Sequence, residues 1–392
     1  MLNTDHSATG FPRWQIGTLT FVHFMMDFYS SILPPLLPLI IAKFSLSLTL
    51  AGSLVSTYSL SSALLQPIFG LLSDRLHGRV FIFWGPLFTT LFISLVGWSP
   101  SYLSLVILLF LAGLGISAFH PQGTAVVGQE AKQKRALAIS VFLFGGTLGF
   151  AVGPLVITWW TSSYGLGSVF AVGVPGIISV LLCFRFVPYS NLLREKGRGK
   201  RLLGDLRFFL KPLALLFTVV MVTSVVRLGL ASFMPVVLTE EGVSLPMVGL
   251  FLSACAFLGS TGSMVGAIAS GRWGRKKVMV IAMVLSLPLF QYYFINPGTL
   301  GLVLIAFGSA TIMSPYSVIV AIGQEAIPQR SGTVSALLMG FGWGMAGLMM
   351  TPIGLIAEYI GLVETLRWTV LLPVVAVSAI LMLSDRSLAS KD

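Results

Sequence analysis

Asp27 stands thirteen residues into an apolar run that begins near residue 14, roughly 20 Å along a helix at 1.5 Å per residue. An ionisable group at that depth of an apolar segment is costly to keep and is a candidate for binding and releasing a proton. The competing reading is a static acid buried against a cation. His23 lies one helical turn earlier on the same face. It either tunes Asp27, shares its proton or binds a ligand, or it is a neutral structural imidazole. Arg227 occupies the comparable depth of a second run. Aligning Ser31-Ile32-Leu33-Pro34 with Ser232-Phe233-Met234-Pro235 places it within one residue of the position matching Asp27. A guanidinium carries five donors and a permanent charge, which suits a carboxylate, phosphate or phosphonate ligand. The alternative is a permanent Asp27–Arg227 lock. His120, beside Pro121 and near Gln122, offers switchable hydrogen bonding at a weakened point of its helix, or else packs between helices. Gln66, Tyr58, Tyr316 and Trp343 are candidates to line a cavity, with ordinary packing as the alternative for each.

Residues of these kinds need long apolar elements to hold them, and the composition supplies little else. Hydrophobic types make up 56% of the 392 residues and charged types only 9%, against roughly 25% charged in soluble proteins. A water-soluble surface cannot be built from so few charges, so the chain reads as an all-α, polytopic membrane protein. Twelve candidate helices fall near 14–41, 50–72, 80–97, 102–125, 136–158, 166–187, 212–238, 246–269, 278–295, 299–322, 331–356 and 367–384. The long polar break at Pro188–Lys211 contains the run Arg194-Glu195-Lys196-Gly197-Arg198-Gly199-Lys200-Arg201. It reads as a cytoplasmic linker between an N-terminal six-helix unit (1–187) and a C-terminal one (212–392). Leu202–Leu210 is expected to lie along the membrane surface as a short amphipathic helix.

With the N-terminus inside, all of the 24 Lys and Arg except Lys43, Arg227 and Arg367 fall at cytoplasmic ends, in the linker or in the tail. That bias predicts two cytoplasmic termini. The polar start through Arg13 lacks the regions of a cleavable signal, so the first helix is expected to be retained. The net charge of +11 comes from short clusters between apolar runs, a pattern unlike a nucleic-acid surface. Cys183 and Cys255 lie in apolar segments of different halves and suit neither a disulfide nor a metal site. No cofactor or metal ligand set is expected.

The halves repeat one another. Gly128-Gln129-Glu130-Ala131 followed by Arg135 recurs as Gly323-Gln324-Glu325-Ala326 followed by Arg330, and Gly145 and Gly149 recur as Gly340 and Gly344, all at an offset of 195. Gly70, Gly78 and Arg79 recur as Gly266, Gly274 and Arg275, and His120-Pro121 faces Ser314-Pro315. Parallel repeats place any pathway between two pseudo-symmetric six-helix bundles. Asp74 is a gating candidate because its carboxylate can meet Arg75, Arg79 or the positive N-terminus of the eleventh helix. Glu130 with Arg135 and Glu325 with Arg330 are either equivalent latches or solvated loop charges.

On these residues the chain resembles a major facilitator superfamily transporter. Gly70-Leu71-Leu72-Ser73-Asp74-Arg75-Leu76-His77-Gly78-Arg79 is similar to the signature between helices 2 and 3, with one extra residue before Gly78. The second copy has Ser270 in place of the acid. Gly149-Phe150-Ala151-Val152-Gly153-Pro154 is similar to the antiporter Gly-Pro motif, here a helix-packing set of Gly149, Gly153 and Pro154, with Ile157 and Thr158 where paired glycines are usual. Ala118-Phe119-His120-Pro121-Gln122-Gly123 resembles the fosmidomycin-resistance branch of drug/proton antiporters.

The resemblance implies a monomeric transporter in a bacterial inner membrane, exporting small polar or anionic drug-like molecules against protons, without a cofactor. Proton-driven uptake of an organic anion remains the alternative. An integral-membrane enzyme is the competing class. Gly259-Ser260-Thr261-Gly262-Ser263 superficially offers a nucleophile turn, but all four His residues lie at or before position 120, and no Gly-Lys-Ser or Gly-Lys-Thr loop is present to hold ATP.

Overall fold

In a bilayer core the backbone must satisfy its own hydrogen bonds, and a chain this apolar does so by helices alone. A computed structural model describes residues 13–73, 79–131, 134–187, 206–327 and 334–384. Among them all regular structure is helical, and twelve helices are long and apolar enough to span a membrane. They are α1 (Arg13–Phe44), α2 (Leu48–Ser73), α3 (Val80–Trp98), α4 (Tyr102–Glu130), α5 (Leu137–Tyr164), α6 (Leu166–Phe184), α7 (Lys211–Glu240), α8 (Leu245–Trp273), α9 (Arg275–Ile295), α10 (Thr299–Ala326), α11 (Ala336–Ile360) and α12 (Leu362–Leu381). The protein is a multi-pass membrane protein of two six-helix bundles.

Several expected helices differ in detail. The first is interrupted at Ser31–Ile32, because Pro34 and Pro35 withhold two backbone donors from the turn before them. The tenth is interrupted at Ser314–Pro315 for the same reason. Residues 206–210 do not form a separate surface helix. They run on into α7 as one helix, Leu206–Glu240, since no residue there stops a helix and Pro212 removes a single donor. Most of the expected linker, residues 188–205, lies outside the described residues.

Small residues decide how closely helices approach. Within the N-terminal bundle, α5 packs on α1 through Gly145, Gly149 and Gly153. A Cβ on Gly149 would overlap the Phe24 carbonyl, and one on Gly153 would overlap Ser31 Oγ and the Phe28 carbonyl. Between the bundles, two contacts are related by the repeat. Gly52 of α2 lies on the Met350 carbonyl of α11, and Gly249 of α8 lies on Thr158 and the Pro154 carbonyl of α5. The first contact is reinforced by polar groups. Ser56 Oγ donates to the Gly347 carbonyl at 2.9 Å and lies 2.8 Å from Thr351 Oγ1, while the Thr49 N–H donates to Glu358 Oε1 at 2.8 Å. Both α2 and α11 widen into a π-helical turn, at Leu60–Leu64 and Ala336–Phe341. Such turns often mark functional positions in helices.

Candidate functional site

The i, i+4 spacing that puts His23 and Asp27 on one face of α1 brings their polar atoms to 3.3 Å, Nε2 to Oδ2. From α4, His120 approaches the other oxygen, with Nε2 3.5 Å from Asp27 Oδ1. The three side chains form one cluster facing α5. His23 is buried, stacked on Phe142 with ring centroids 4.1 Å apart and tilted against Phe119. Its Nδ1 lies 2.8 Å from the Phe142 carbonyl. A carbonyl only accepts, so Nδ1 carries the hydrogen there. Nε2 then presents a lone pair toward a carboxylate unless a further proton resides on the pair. It makes no aligned hydrogen bond and is buried. Gly146 makes room for this arrangement, since a Cβ there would stand 2.5 Å from His23 Nε2 and 2.6 Å from Asp27 Oδ2. Asp27 and His120 keep 17% and 27% of their side chains exposed, so the cluster is open on one side.

Arg227 lies apart from this cluster. The expected alternative of an Asp27–Arg227 lock is not what the structure holds. Asp27 faces two imidazoles, and Arg227 has no acidic partner among the described residues. Its guanidinium carbon instead sits 4.0 Å from the centroid of the Trp343 ring, a separation at which a cation is attracted to the ring face. Nε is buried without a hydrogen-bond partner. Trp343 is half-buried against the core of α11. Arg227 also lines a small cavity whose walls come from both bundles, with Ser31, Phe150, Phe251, Cys255 and Ser309 among its lining. The rest of that wall is largely apolar, so the guanidinium is its one charge.

The other expected site residues divide between the cavity and the framework. Gln122 is fully buried, and its Oε1 accepts from the Phe81 and Ile82 N–H groups at 2.8 and 3.0 Å. Oε1 therefore caps the first turn of α3, while Nε2 is buried without a hydrogen-bond partner. Tyr58 donates to the Ser30 carbonyl at 3.0 Å across the α1 interruption. Gln66 donates to the Ser62 carbonyl at 2.9 Å, beside Gly340 of the other bundle. Tyr316 follows the α10 interruption and neighbours Arg227.

Among the gating candidates, Asp74, Arg75 and Arg330 lie outside the described residues. Arg79 donates to the Phe184 carbonyl at 2.9 Å and covers the Phe184 ring. Arg135 folds back over Gly128 in the last turn of α4. Glu325 pairs with Arg275, in a two-pronged contact of 2.6 and 2.7 Å, where Arg330 had been the expected partner. The reason is geometric: Arg275 opens α9 beside the end of α10, and its planar fork matches both carboxylate oxygens. The repeat relates Arg275 and Glu325 to Arg79 and Glu130.

Sequence reasoning missed Phe142, Gly146 and Arg275. Gly146 had a visible signal, as the second of a Gly-Gly pair opening the glycine series of α5. The meeting of His120 with Asp27 had none, because the two are distant in sequence and on different helices.

Two bundles joined by repeat-related glycine contacts, with intramembrane charges near their interface, define a membrane transport protein. The Major Facilitator Superfamily model matches residues 19–351, and the chain belongs to that superfamily of transporters. It is 26% identical over 383 residues to the fosmidomycin resistance protein of Escherichia coli (strain K12), covering 95% of this chain and 93% of that one. It is 24% identical over 296 residues to the multidrug resistance protein MdtG of Salmonella paratyphi A (strain ATCC 9150 / SARB42), covering 71% and 73%. In fold it is similar to a crystallised D-xylose-proton symporter, with a TM-score of 0.78 at 16% identity over 95% of this chain and 97% of that one. An inward-facing bacterial homologue of the human lysosomal transporter Spinster gives a TM-score of 0.77 at 17% identity, over 98% and 100%.

Proposed function

We propose that the protein is a proton-coupled secondary transporter that exports small polar or anionic, drug-like molecules by alternating access. The observation that carries this reading is the separation of the two intramembrane charges. Asp27 is held between His23 and His120, while Arg227 is turned onto Trp343 at the edge of an apolar cavity. A carboxylate flanked by imidazoles is a place where a proton is taken up and passed on. An unpaired guanidinium in an apolar wall is a place where an anion with an apolar body is held. Relatives named for resistance to fosmidomycin and to several drugs support export and this substrate class.

The orientation follows the Lys and Arg bias, with both termini cytoplasmic in a bacterial inner membrane and one chain as the working unit. In that orientation the contacts of Gly52 and Gly249 close the outer side. Asp74 with Arg75 and Arg79, and the acids Glu130 and Glu325 with Arg135, Arg275 and Arg330, belong to the cytoplasmic gate. Right-side-out and inverted vesicles under an imposed pH gradient test the direction. Export predicts uptake of substrate into inverted vesicles whose interior is acidic. Accumulation only in right-side-out vesicles with an acidic exterior would instead establish proton-driven import.

A further inference from the structure

The cluster around Asp27 has the donor set of a metal site, and we propose that His23, Asp27 and His120 bind one divalent transition cation of the Zn2+ class. Ligand atoms about 2.0–2.1 Å from a tetrahedral Zn2+ stand about 3.3–3.4 Å from one another. Here His23 Nε2 is 3.3 Å and His120 Nε2 is 3.5 Å from Asp27 oxygens, and one ligand atom from each residue lies within 4.8 Å of the other two.

Independent features of the surroundings point the same way. His23 is 3% exposed, and its buried Nε2 faces Asp27 without an aligned hydrogen bond. Its other nitrogen is held by the Phe142 carbonyl at 2.8 Å, the outer contact that orients a metal-ligating imidazole and leaves Nε2 free to coordinate. The α5 backbone at Gly146 packs directly on His23 Nε2 and Asp27 Oδ2, where a methyl group would collide with both, so it holds these two ligand atoms side by side. The exposed edges of Asp27 and His120 leave a fourth position for water. Two nitrogens and one carboxylate favour Zn2+, Co2+ or Ni2+ over Mg2+ and Ca2+, which prefer all-oxygen shells. The cation is a visitor from solution, and it occupies the carboxylate on which proton coupling depends. Inhibition of transport therefore rests on the proposed function, whereas binding rests on the geometry alone.

Tag-free full-length protein in detergent, titrated with ZnCl2 by calorimetry and with CoCl2 by absorption spectroscopy, tests the site. His6 and His77, the two other imidazoles of the chain, are first replaced by Asn. One Zn2+ per chain is expected, with no heat from MgCl2. Asp27→Asn and His120→Gln are each expected to weaken binding by at least about tenfold. Gly146→Ala should do the same by pushing His23 and Asp27 out of position while all three ligand residues are retained. His120 is the most exposed of the three, so His120→Gln decides the matter even if substitution at His23 disturbs folding. Unchanged Zn2+ affinity in Asp27→Asn and His120→Gln, or equal binding of Mg2+, overturns the site. Failure of the wild type to bind Zn2+ while it still transports on a pH gradient overturns the site and leaves the proposed function standing. Zn2+ bound at the cluster with transport undiminished overturns the inhibition and the proton role of Asp27, while the site itself stands.

Discussion

Removing the Arg227 side chain should separate anionic from neutral ligands. In the structure the guanidinium rests on Trp343 and has no acidic partner among the described residues, so a bound anion does not have to displace a competing carboxylate. A hydrogen bond to a charged group contributes about 1.5–3 kcal/mol, which is roughly 10–150-fold in affinity. Arg227→Ala is therefore expected to weaken anionic ligands by about that factor and neutral ones of the same apolar body by much less. Arg227→Lys should restore only part of the loss, because an ammonium keeps the charge without the planar fork. Trp343→Leu should give an intermediate loss, since it removes the ring that orients the guanidinium and about 0.5–2 kcal/mol of cation–π attraction. A thermal-shift screen supplies the ligands, and calorimetry on paired anionic and neutral analogues supplies the numbers. Equal losses for both charge types would refute the assignment of Arg227 to the anion.

The remaining predictions concern the framework. Gly52→Leu puts a side chain where the Met350 carbonyl lies, so it should wedge α2 from α11 and raise the reactivity of cysteines placed nearby on the two helices; unchanged labelling would count against that contact as a gate. Gln122→Ala strands the Phe81 and Ile82 N–H groups at about 1–3 kcal/mol for a buried unsatisfied donor. It should lower the melting temperature while leaving ligand affinity alone, and a selective loss of affinity would place Gln122 in the binding site. Glu325→Gln opens the pair with Arg275, whose partners are 39% and 20% exposed. The pair is worth roughly 0–1 kcal/mol after screening, so the melting temperature should change little, and a large drop would show that it holds the bundle together.

How much of this was legible in the sequence follows the range of the interactions. The spans, the repeat and the shared face of His23 and Asp27 are set by local periodicity and by counts of charge, and each can be read along one helix. The break in α1 was not anticipated, although Pro34 and Pro35 were in view, because prolines inside membrane helices often leave the helix continuous. The partners of Asp27, Gln122 and Glu325 depend on which helix faces which, and at what height. His120 meets Asp27 through the packing of α4 on α1, and Arg275 reaches Glu325 through the meeting of α9 with α10. Neither contact has a spacing in the chain. Arg227 is found by its depth, yet its seat on Trp343 comes from the approach of α11 to α7, and depth alone leaves a lock with the acid at the same level open as the alternative.

The proton-carrying role of Asp27 is read out by coupled flux in proteoliposomes with an imposed pH gradient. Wild-type protein should concentrate substrate on the acidic side, with protons moving the other way. Asp27→Asn, which keeps the shape of the protonated acid, should still bind substrate and exchange it down its own gradient, but should no longer concentrate it. If Asp27→Asn accumulates substrate against its gradient at the wild-type proton cost, the proton passes elsewhere and Asp27 is not its carrier.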